Sequence, residues 1–444
     1  MFSFTNFFAQ FMSKFLTGFF TLEFSIFSLF GGVGKELPKT PDDFTPVLRF
    51  AVCSDVHLSG ETETDEGKMH AEHFDKMLKG VYAYSDKCEY NKLDAVMVVG
   101  DMTGRGQPAQ YEQFNSILND NLRDGTEKLI ILGNHEFIDY RDYDPTIGYD
   151  MFKQYVRDNV DDHRVINGYH FIGVSYADDA KTFNGKTQWL KSEIKKAVAD
   201  TGDKPVFVYQ HPQPFNTVYG SVNWGSFEMK TALVGFPQVV DFSGHSHYTA
   251  TDPRSIWQGS FTAIGTGSTA ALMGNLNYIS GDQDAPGESG SCWVVEVDAD
   301  GNIRLQLYDI VNNKFFDRNE YYLSDVAKQS AHKYTWGNLK SLDTAPVFPD
   351  GAQISASRND DGNVILSFPD ADCFWGAENY KVTVKNGSSE AYAGTVISNY
   401  VRTVSDGMTV DLGNLAAGSY KVSIAPYSPY AKAGKVLEGT IEIK

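Results

Sequence analysis

Five short polar motifs constrain this chain more than any other feature. They are Asp55-Val56-His57, Gly100-Asp101, Gly133-Asn134-His135-Glu136, Gln210-His211-Pro212 and Gly244-His245-Ser246-His247. Each sits at or just after the end of an apolar, strand-like run. The runs are Val47–Cys53, Ala95–Val99, Lys128–Leu132 and Val206–Tyr209; His170–Val174 reads as a further buried strand. Helical patterns fall between them, over Ala71–Tyr82, Tyr111–Leu118 and Thr187–Val198. Strands alternating with helices predict a layered α/β sheet. In such sheets ligands collect beyond the strand ends, which is where the five motifs fall.

The motifs bring together two carboxylates, one amide oxygen and four imidazoles: Asp55, His57, Asp101, Asn134, His211, His245 and His247. That mixture suits two borderline divalent ions (Mn, Fe or Zn) better than Ca²⁺, with one carboxylate shared between them. Alternate residues of an extended segment point the same way, so Asp55 and His57 can serve one metal. His245 and His247 can do the same, unless a backbone turn splits them between two. Glycines before Asp101, Asn134 and His245 permit tight turns and close backbone approach. Two such ions about 3.5–4 Å apart would clamp a phosphate and hold a bridging hydroxide in line for attack. Asp-x-His or Gly-Asp alone carries little information; the order, strand context and total ligand count carry the signal.

These motifs resemble those of the calcineurin-like metallophosphoesterase family, across roughly residues 48–330. The run from Gly100 through Arg105 and Gly106, followed by Tyr111 to Phe114, is similar to the branch that contains class III cyclic-nucleotide phosphodiesterases and glycerophosphodiesterases. The resemblance implies a four-layer αββα sandwich. It implies that Asp55, His57, Asp101 and His247 hold a first metal, and that Asp101, Asn134, His211 and His245 hold a second. It also implies that His135 contacts the phosphate or protonates the leaving group. Arg105, four residues after Asp101, matches an arginine that some relatives place on the phosphate. Two positions depart from the pattern. Gly104 stands where many relatives carry an acid that orients the histidine equivalent to His135, and Glu136 replaces an aspartate. Gly104 also occupies the place of the tyrosine ligand of purple acid phosphatases, which argues against a tyrosinate–iron site.

The implied activity is hydrolysis of a small phosphate ester, a diester foremost. The alternatives are a phosphomonoesterase, or a surface-anchored binding protein that keeps the fold with little catalysis. A formal charge of −19 argues against broad nucleic-acid binding, which needs Lys and Arg to displace counterions. Oligomeric state is not encoded in any motif. The four cysteines (Cys53, Cys88, Cys292 and Cys373) form no Cys-x-x-Cys pair and read as buried thiols. His70 and His73 read as histidines on a helix surface. His163 and His170 lack ligand spacing. Trp224, Phe227 and Trp257 flank the last two histidine motifs, and packing is the favoured reading for them over stacking on a substrate.

Residues 1–34 are rich in phenylalanine and carry two charged side chains, Lys14 and Glu23. Phe4, Phe8, Phe11, Phe15 and Phe19 recur at helical spacing. A helix lying in a membrane surface fits this stripe, as does one packed on protein; the former gives a membrane-associated or extracytoplasmic location. A linker over 35–47 contains Pro38, Pro41 and Pro46. The main domain is expected over 48–335. Residues 346–444 show short alternating strands with turn signals, including Asn386-Gly387 and Asp406-Gly407, the pattern of an all-β sandwich. The stretch Leu415–Val422 resembles the tyrosine-corner region of fibronectin type III domains.

Overall fold

The computed structural model describes residues 36–444 except 62–63, 141, 143, 177–182, 184, 276–281 and 285–287. The phenylalanine-rich segment 1–34 lies outside the described residues. The chain enters at β1 (Pro46–Cys53) and runs through α1 (Asp65–Ser85), β2 (Ala95–Val99), α2 (Pro108–Asn121) and β3 (Glu127–Ile131). It continues through α3 (Thr146–Tyr155), β4 (Asp162–Ile166), β5 (Tyr169–Val174), α4 (Lys186–Thr201) and β6 (Val206–Pro212). Then come α5 (Ser221–Trp224), α6 (Phe227–Leu233), β7 (Val239–Gly244), β8 (Ile256–Gln258) and β9 (Thr262–Gly265). A small hairpin, β10 (Met273–Asn275) with β11 (Asp282–Asp284), precedes β12 (Ser291–Asp298), β13 (Ile303–Asp309) and β14 (Lys314–Leu323).

Two six-stranded sheets result, in the orders β14-β13-β12-β1-β2-β3 and β4-β5-β6-β7-β9-β8. The pairs β1–β2, β2–β3, β5–β6 and β6–β7 are parallel. The late strands β12 to β14 add antiparallel to the free side of β1. Both faces of the central strands are buried, so their sequences read as continuous apolar runs rather than alternations. Leu48, Phe50 and Val52 of β1 and Phe207 and Tyr209 of β6 face the space between the sheets. Phe50 meets Phe171 and Phe207 edge-on there, at 5.1 and 5.0 Å between centroids. The intervening residues Ala51, Cys53, Val206 and Val208 face outward, under helices. Phe74 of α1 stacks on Phe114 of α2 at 5.2 Å above the first sheet, while Leu190, Ile194 and Met229 of α4 and α6 join the outer core. The order of layers is helix, sheet, sheet, helix.

Helix α7 (Trp336–Leu342) marks the end of this body. Beyond it lie β15 (Ser355–Arg358), β16 (Val364–Phe368), β17 (Asn379–Asn386), β18 (Ser389–Ile397), β19 (Met408–Asp411), β20 (Gly418–Tyr427) and β21 (Leu437–Ile443). They form antiparallel sheets β15-β16-β19 and β18-β17-β20-β21, closed over a core that includes Leu366, Tyr380, Val382 and Ile424. The Tyr420 hydroxyl donates to the Ala416 carbonyl at 2.9 Å. Polar contacts fasten this sandwich to the first body. Arg254 pairs with both Asp252 and Glu378, Asp309 accepts from the Thr403 amide and hydroxyl at 2.8 and 2.9 Å, and Trp375 Nε1 donates to the Leu339 carbonyl at 3.1 Å.

Several sequence expectations need correction. Cys53 and Cys292 are buried, but Cys88 and Cys373 are only partly so; all four are free thiols. His70 and His73 are buried rather than on the surface of α1. Helix α1 starts six residues earlier than its apolar pattern suggested, because Thr64 caps it by accepting from the Gly67 amide. Among the described residues no helix is long and apolar enough to cross a membrane.

Candidate metal centre

The five motifs converge beyond the C-terminal ends of β1, β2, β3, β6 and β7, and backbone hydrogen bonds tie their loops together. The amides of Val56 and His57 both donate to the Asp101 carbonyl, at 2.9 and 3.0 Å. The His135 amide donates to Asp101 Oδ1 at 2.8 Å. The His245 amide donates to the Asp55 carboxylate at 3.1 Å. Each aspartate therefore organises a neighbouring loop as well as facing the site.

Three overlapping groups result: Asp55, His57 and His247; His57, Asp101 and His135; and Asp101, His211 and His245. Within each, one ligand atom per residue lies within 4.8 Å of the others. Asp101 belongs to two of the groups and His57 bridges toward the first. Asn134 joins through Oδ1, 3.1 Å from His211 Nε2. His211 Nε2 lies 3.0 Å from Asp101 Oδ2, and His57 Nε2 lies 2.9 Å from His247 Nε2. The His245-Ser246-His247 turn sends its two imidazoles into different groups.

The rings are aimed from behind. His211 Nδ1 hydrogen-bonds the Val99 carbonyl at 2.8 Å, which directs Nε2 inward. His70 Nδ1 holds the His57 carbonyl at 3.0 Å. His135 Nδ1 donates to the carbonyl of Gly104 at 2.8 Å. The missing acid at position 104 is thus replaced by backbone, and His135 keeps an orienting partner. Glu136, at the position of the usual aspartate, is fully buried. It accepts from the amides of Asp101, Thr103 and Gly133 at 3.1, 2.9 and 2.7 Å and from the Thr103 hydroxyl at 2.9 Å. It therefore joins the β2 loop to the β3 loop.

This convergence has a conformational cost. Asp55, His57, Asp101, His245 and His247 all have positive φ, between 50° and 75°, a region that side-chain-bearing residues rarely enter and that clusters at functional sites. Two glycines make room. A methyl group at Gly133 would overlap Asp101 Oδ1, and one at Gly244 would overlap Asp55 Oδ2 and Ser54.

The electrostatics suit cations. Burial lowers the proton affinity of His57 to about 3, aided by His247 and His135, although the aspartates oppose it. Burial likewise takes His245 to about 4, with His211 contributing. Both imidazoles are neutral and keep a lone pair. Burial alone would raise the two aspartates, yet the surrounding histidines outweigh it, holding Asp55 at about 2 and Asp101 well below the usual carboxylate range. Burial would lower His211 and His247 too, yet Asp101 and Asp55 outweigh it, raising His211 to about 9 and His247 above its ordinary value; divalent ions with mixed nitrogen and oxygen preference would take the place of these protons between the two ionised carboxylates.

The other expected residues fall outside the cluster. Arg105 is in the β2 loop, but its guanidinium pairs with Asp139 at 2.5 Å. His163 and His170 meet each other at 2.8 Å, between Glu193 and Asp200, in a separate chain of hydrogen bonds. Trp257 packs as expected, against Phe261 and Trp336. Trp224 and Phe227 pack only in part: they are 43% and 42% exposed, the Trp224 ring meets His245 edge-on at 5.5 Å and the Phe227 ring meets Phe215 edge-on at 6.4 Å. Sequence reasoning missed the tethering role of Glu136 and that of Ser54, whose hydroxyl binds both Asp55 and Thr266. Adjacency to the ligands was the available signal for both.

Comparison with known proteins adds three findings. Glycerophosphodiester phosphodiesterase GpdQ from Enterobacter lignolyticus (strain SCF1) is 33% identical over 168 residues, covering 35% of this chain and 56% of the relative. The chain thus spans little more than half the length of that relative. A purple acid phosphatase, PPD1 from yellow lupin seeds, superposes with a TM-score of 0.45 at 12% identity, covering 63% of this chain and 55% of that one. The profile of the calcineurin-like phosphoesterase family matches residues 48–249, a span that contains every one of the converging ligands. Residues 48–249 are therefore a calcineurin-like phosphoesterase domain.

Proposed function

We propose that this chain is a dinuclear metal-dependent hydrolase of phosphate esters, acting foremost on phosphodiesters. The observation that carries the reading is the convergence of eight donor side chains, the seven expected ligands and His135, with Asp101 and His57 each shared between two groups. Asp55, His57, Asp101 and His247 would hold one ion, and Asp101, Asn134, His211 and His245 the other. Bound there, Mn, Fe or Zn would supply Lewis acidity toward the phosphate and a nucleophile from water at neutral pH.

The protein's own groups do the rest. His135, with Nδ1 fixed on Gly104, presents Nε2 3.9 Å from Asp101 Oδ2. In its protonated form this atom can deliver a proton to the departing alkoxide. Ser54 and the His245 amide hold the Asp55 carboxylate, and Glu136 holds the loops of Asp101 and Asn134. A diester is favoured over a monoester because Arg105 is already engaged by Asp139. The more highly charged monoester thus gains no free guanidinium, while a singly charged diester needs none. The diesterase activity named for the bacterial relative supports the same choice.

The test is hydrolysis of bis(p-nitrophenyl) phosphate against p-nitrophenyl phosphate after reconstitution with Mn²⁺, Fe²⁺ or Zn²⁺, with metal content measured alongside. The reading predicts close to two ions per chain and faster turnover of the diester. Full occupancy with neither ester hydrolysed would point instead to a binding protein, and a monoester preference to a phosphatase.

The C-terminal sandwich belongs, in this reading, to the fibronectin type III kind. Its strand orders and the Tyr420 hydroxyl on the Ala416 carbonyl support this. Residues 1–34 would hold the protein at a membrane surface. Fractionation of full-length protein and of a form lacking them tests that, and equal solubility of the two would reject it.

A further inference from the structure

The segment from Gln213 to Phe227 follows the His211 loop and carries no charged side chain, in a chain where charged residues make up 21%. Hydrogen bonds fold it back on the metal ligands. The Ser226 amide donates to the Gln213 carbonyl at 2.6 Å, and the Phe215 amide to the Ser226 carbonyl at 2.9 Å. Gln213 Nε2 donates to the Ser246 hydroxyl at 2.7 Å, between His245 and His247. A methyl group at Gly225 would overlap the carbonyls of Ser221 and Gln213, so the return of the chain needs that glycine. The segment is thus fastened to the loops that carry His211, His245 and His247. It displays Trp224 beside them. The Trp224 and His245 rings lie 5.5 Å apart with their planes at 88°. In that geometry the imidazole covers at most one indole face, and 43% of Trp224 stays exposed. Among the described residues its ring meets no other aromatic ring. His135 stands at another ligand group, where its ring meets His57 at 4.3 Å.

We propose that Trp224 determines specificity: it takes the substituent that stays on phosphorus when a phosphodiester is cleaved, and it favours one that is aromatic and uncharged. This rests on the hydrolase reading given above. With His135 protonating the departing alkoxide, the leaving group lies toward His57. The His245 side, where Trp224 stands, is then left for the other substituent. An indole offers a large apolar face, and contacts between aromatic rings are worth more than their buried area alone. A charged substituent finds no counter-charge within 213–227, and a single ring is not the cage that holds a quaternary ammonium. Because the segment is already tied to the ligand loops, the ring pays little ordering entropy when substrate arrives.

Two diesters with one leaving group test this on the full chain loaded with Mn²⁺: phenyl p-nitrophenyl phosphate and methyl p-nitrophenyl phosphate. Wild type should favour the phenyl ester in kcat/KM. Trp224→Ala should cut that preference by about tenfold, chiefly through KM, because the ring contact is the same in ground and transition states. Trp224→Phe should keep most of it. Calorimetry gives a readout without turnover. Phenylphosphonate, whose P–C bond is not hydrolysed, should bind wild type more tightly than methylphosphonate, and Trp224→Ala should bring the two affinities together. Metal content matching wild type reports that the variant is folded. Turnover of both esters by wild type with no phenyl preference, or a preference that Trp224→Ala retains, overturns the role of Trp224 and leaves the hydrolase reading standing. Hydrolysis of neither ester by the loaded wild type overturns the hydrolase reading and this role with it.

Discussion

The two bodies of this molecule are built on opposite economies. In the C-terminal sandwich, strands alternate between core and solvent: β20 buries Tyr420, Val422 and Ile424 and exposes Ser419 and Lys421. Among its described residues beyond 346, one non-glycine residue, Ala431, has positive φ. In the phosphoesterase domain the central strands are buried on both faces, and five ligand residues sit in that strained region. The five strained ligand residues are gathered at one set of strand ends, and the two packed sheets behind them hold the ends in place. Stability and chemistry are therefore separable by region, and substitutions should divide along that line.

The largest effect on activity is expected from Asp101→Ala. It removes the carboxylate common to two ligand groups and the acceptor of the His135 amide. Metal content should fall below one ion per chain, and hydrolysis should drop to the level of metal-stripped protein. Retention of two ions with normal turnover would show that the convergence around Asp101 is not the working site.

Next is His135→Ala. General acid catalysis typically contributes about 10²–10⁴-fold. If His135 Nε2 serves that role, alkyl diesters, whose leaving groups are poor, should lose most of that factor and p-nitrophenyl diesters far less. An equal loss for both would assign the side chain to phosphate positioning. Metal content should not change in either case, which separates this variant from Asp101→Ala.

Glu136→Gln is expected to act more gently. An amide nitrogen cannot accept the hydrogen bonds that one carboxylate oxygen now takes from its neighbours. The loops of Asp101 and Asn134 should loosen, costing about 10–100-fold in metal affinity, as is common for partners standing behind metal ligands. Excess metal should restore much of the rate. Unchanged affinity in a metal titration would falsify the tethering role.

Much of this arrangement is legible in the sequence. The ends of β1 and β2 could be placed because their largely apolar runs stop at Ser54 and Gly100, whereas β6 continues through Gln210 and His211 to Pro212, past the end of its apolar run. Most of the fold was visible for the same reason. The hidden part depends on side chains meeting across elements. His163 and His170 touch because β4 and β5 pair as a hairpin, which no spacing rule for ligands would flag. His73 is buried because α1 packs against the Thr269 carbonyl and Glu288. Trp224 is exposed because a four-residue helix lifts it beside His245. The left-handed backbone of Asp55 and His247 leaves no mark in residue type, since aspartate and histidine are there as ligands whatever their φ.

The smallest effect on activity, and the sharpest test of regional separation, belongs to Ile424→Ala. Ile424 is fully buried at the centre of the sandwich core and pairs in register with Val382 on the neighbouring strand. Deleting its branched side chain leaves a cavity that flanking strands cannot collapse around without breaking their ladders, a cost of about 2–5 kcal/mol. The sandwich should melt or unfold in denaturant earlier by that amount. Below its transition, turnover and metal content should match wild type, because the ligands come from strand ends of the other body. The Arg254–Glu378 and Asp309–Thr403 contacts are the route by which this separation can fail. If Ile424→Ala lowers turnover while the protein is still folded, those contacts transmit the sandwich's condition to the His245–His247 turn, and the two bodies work as one.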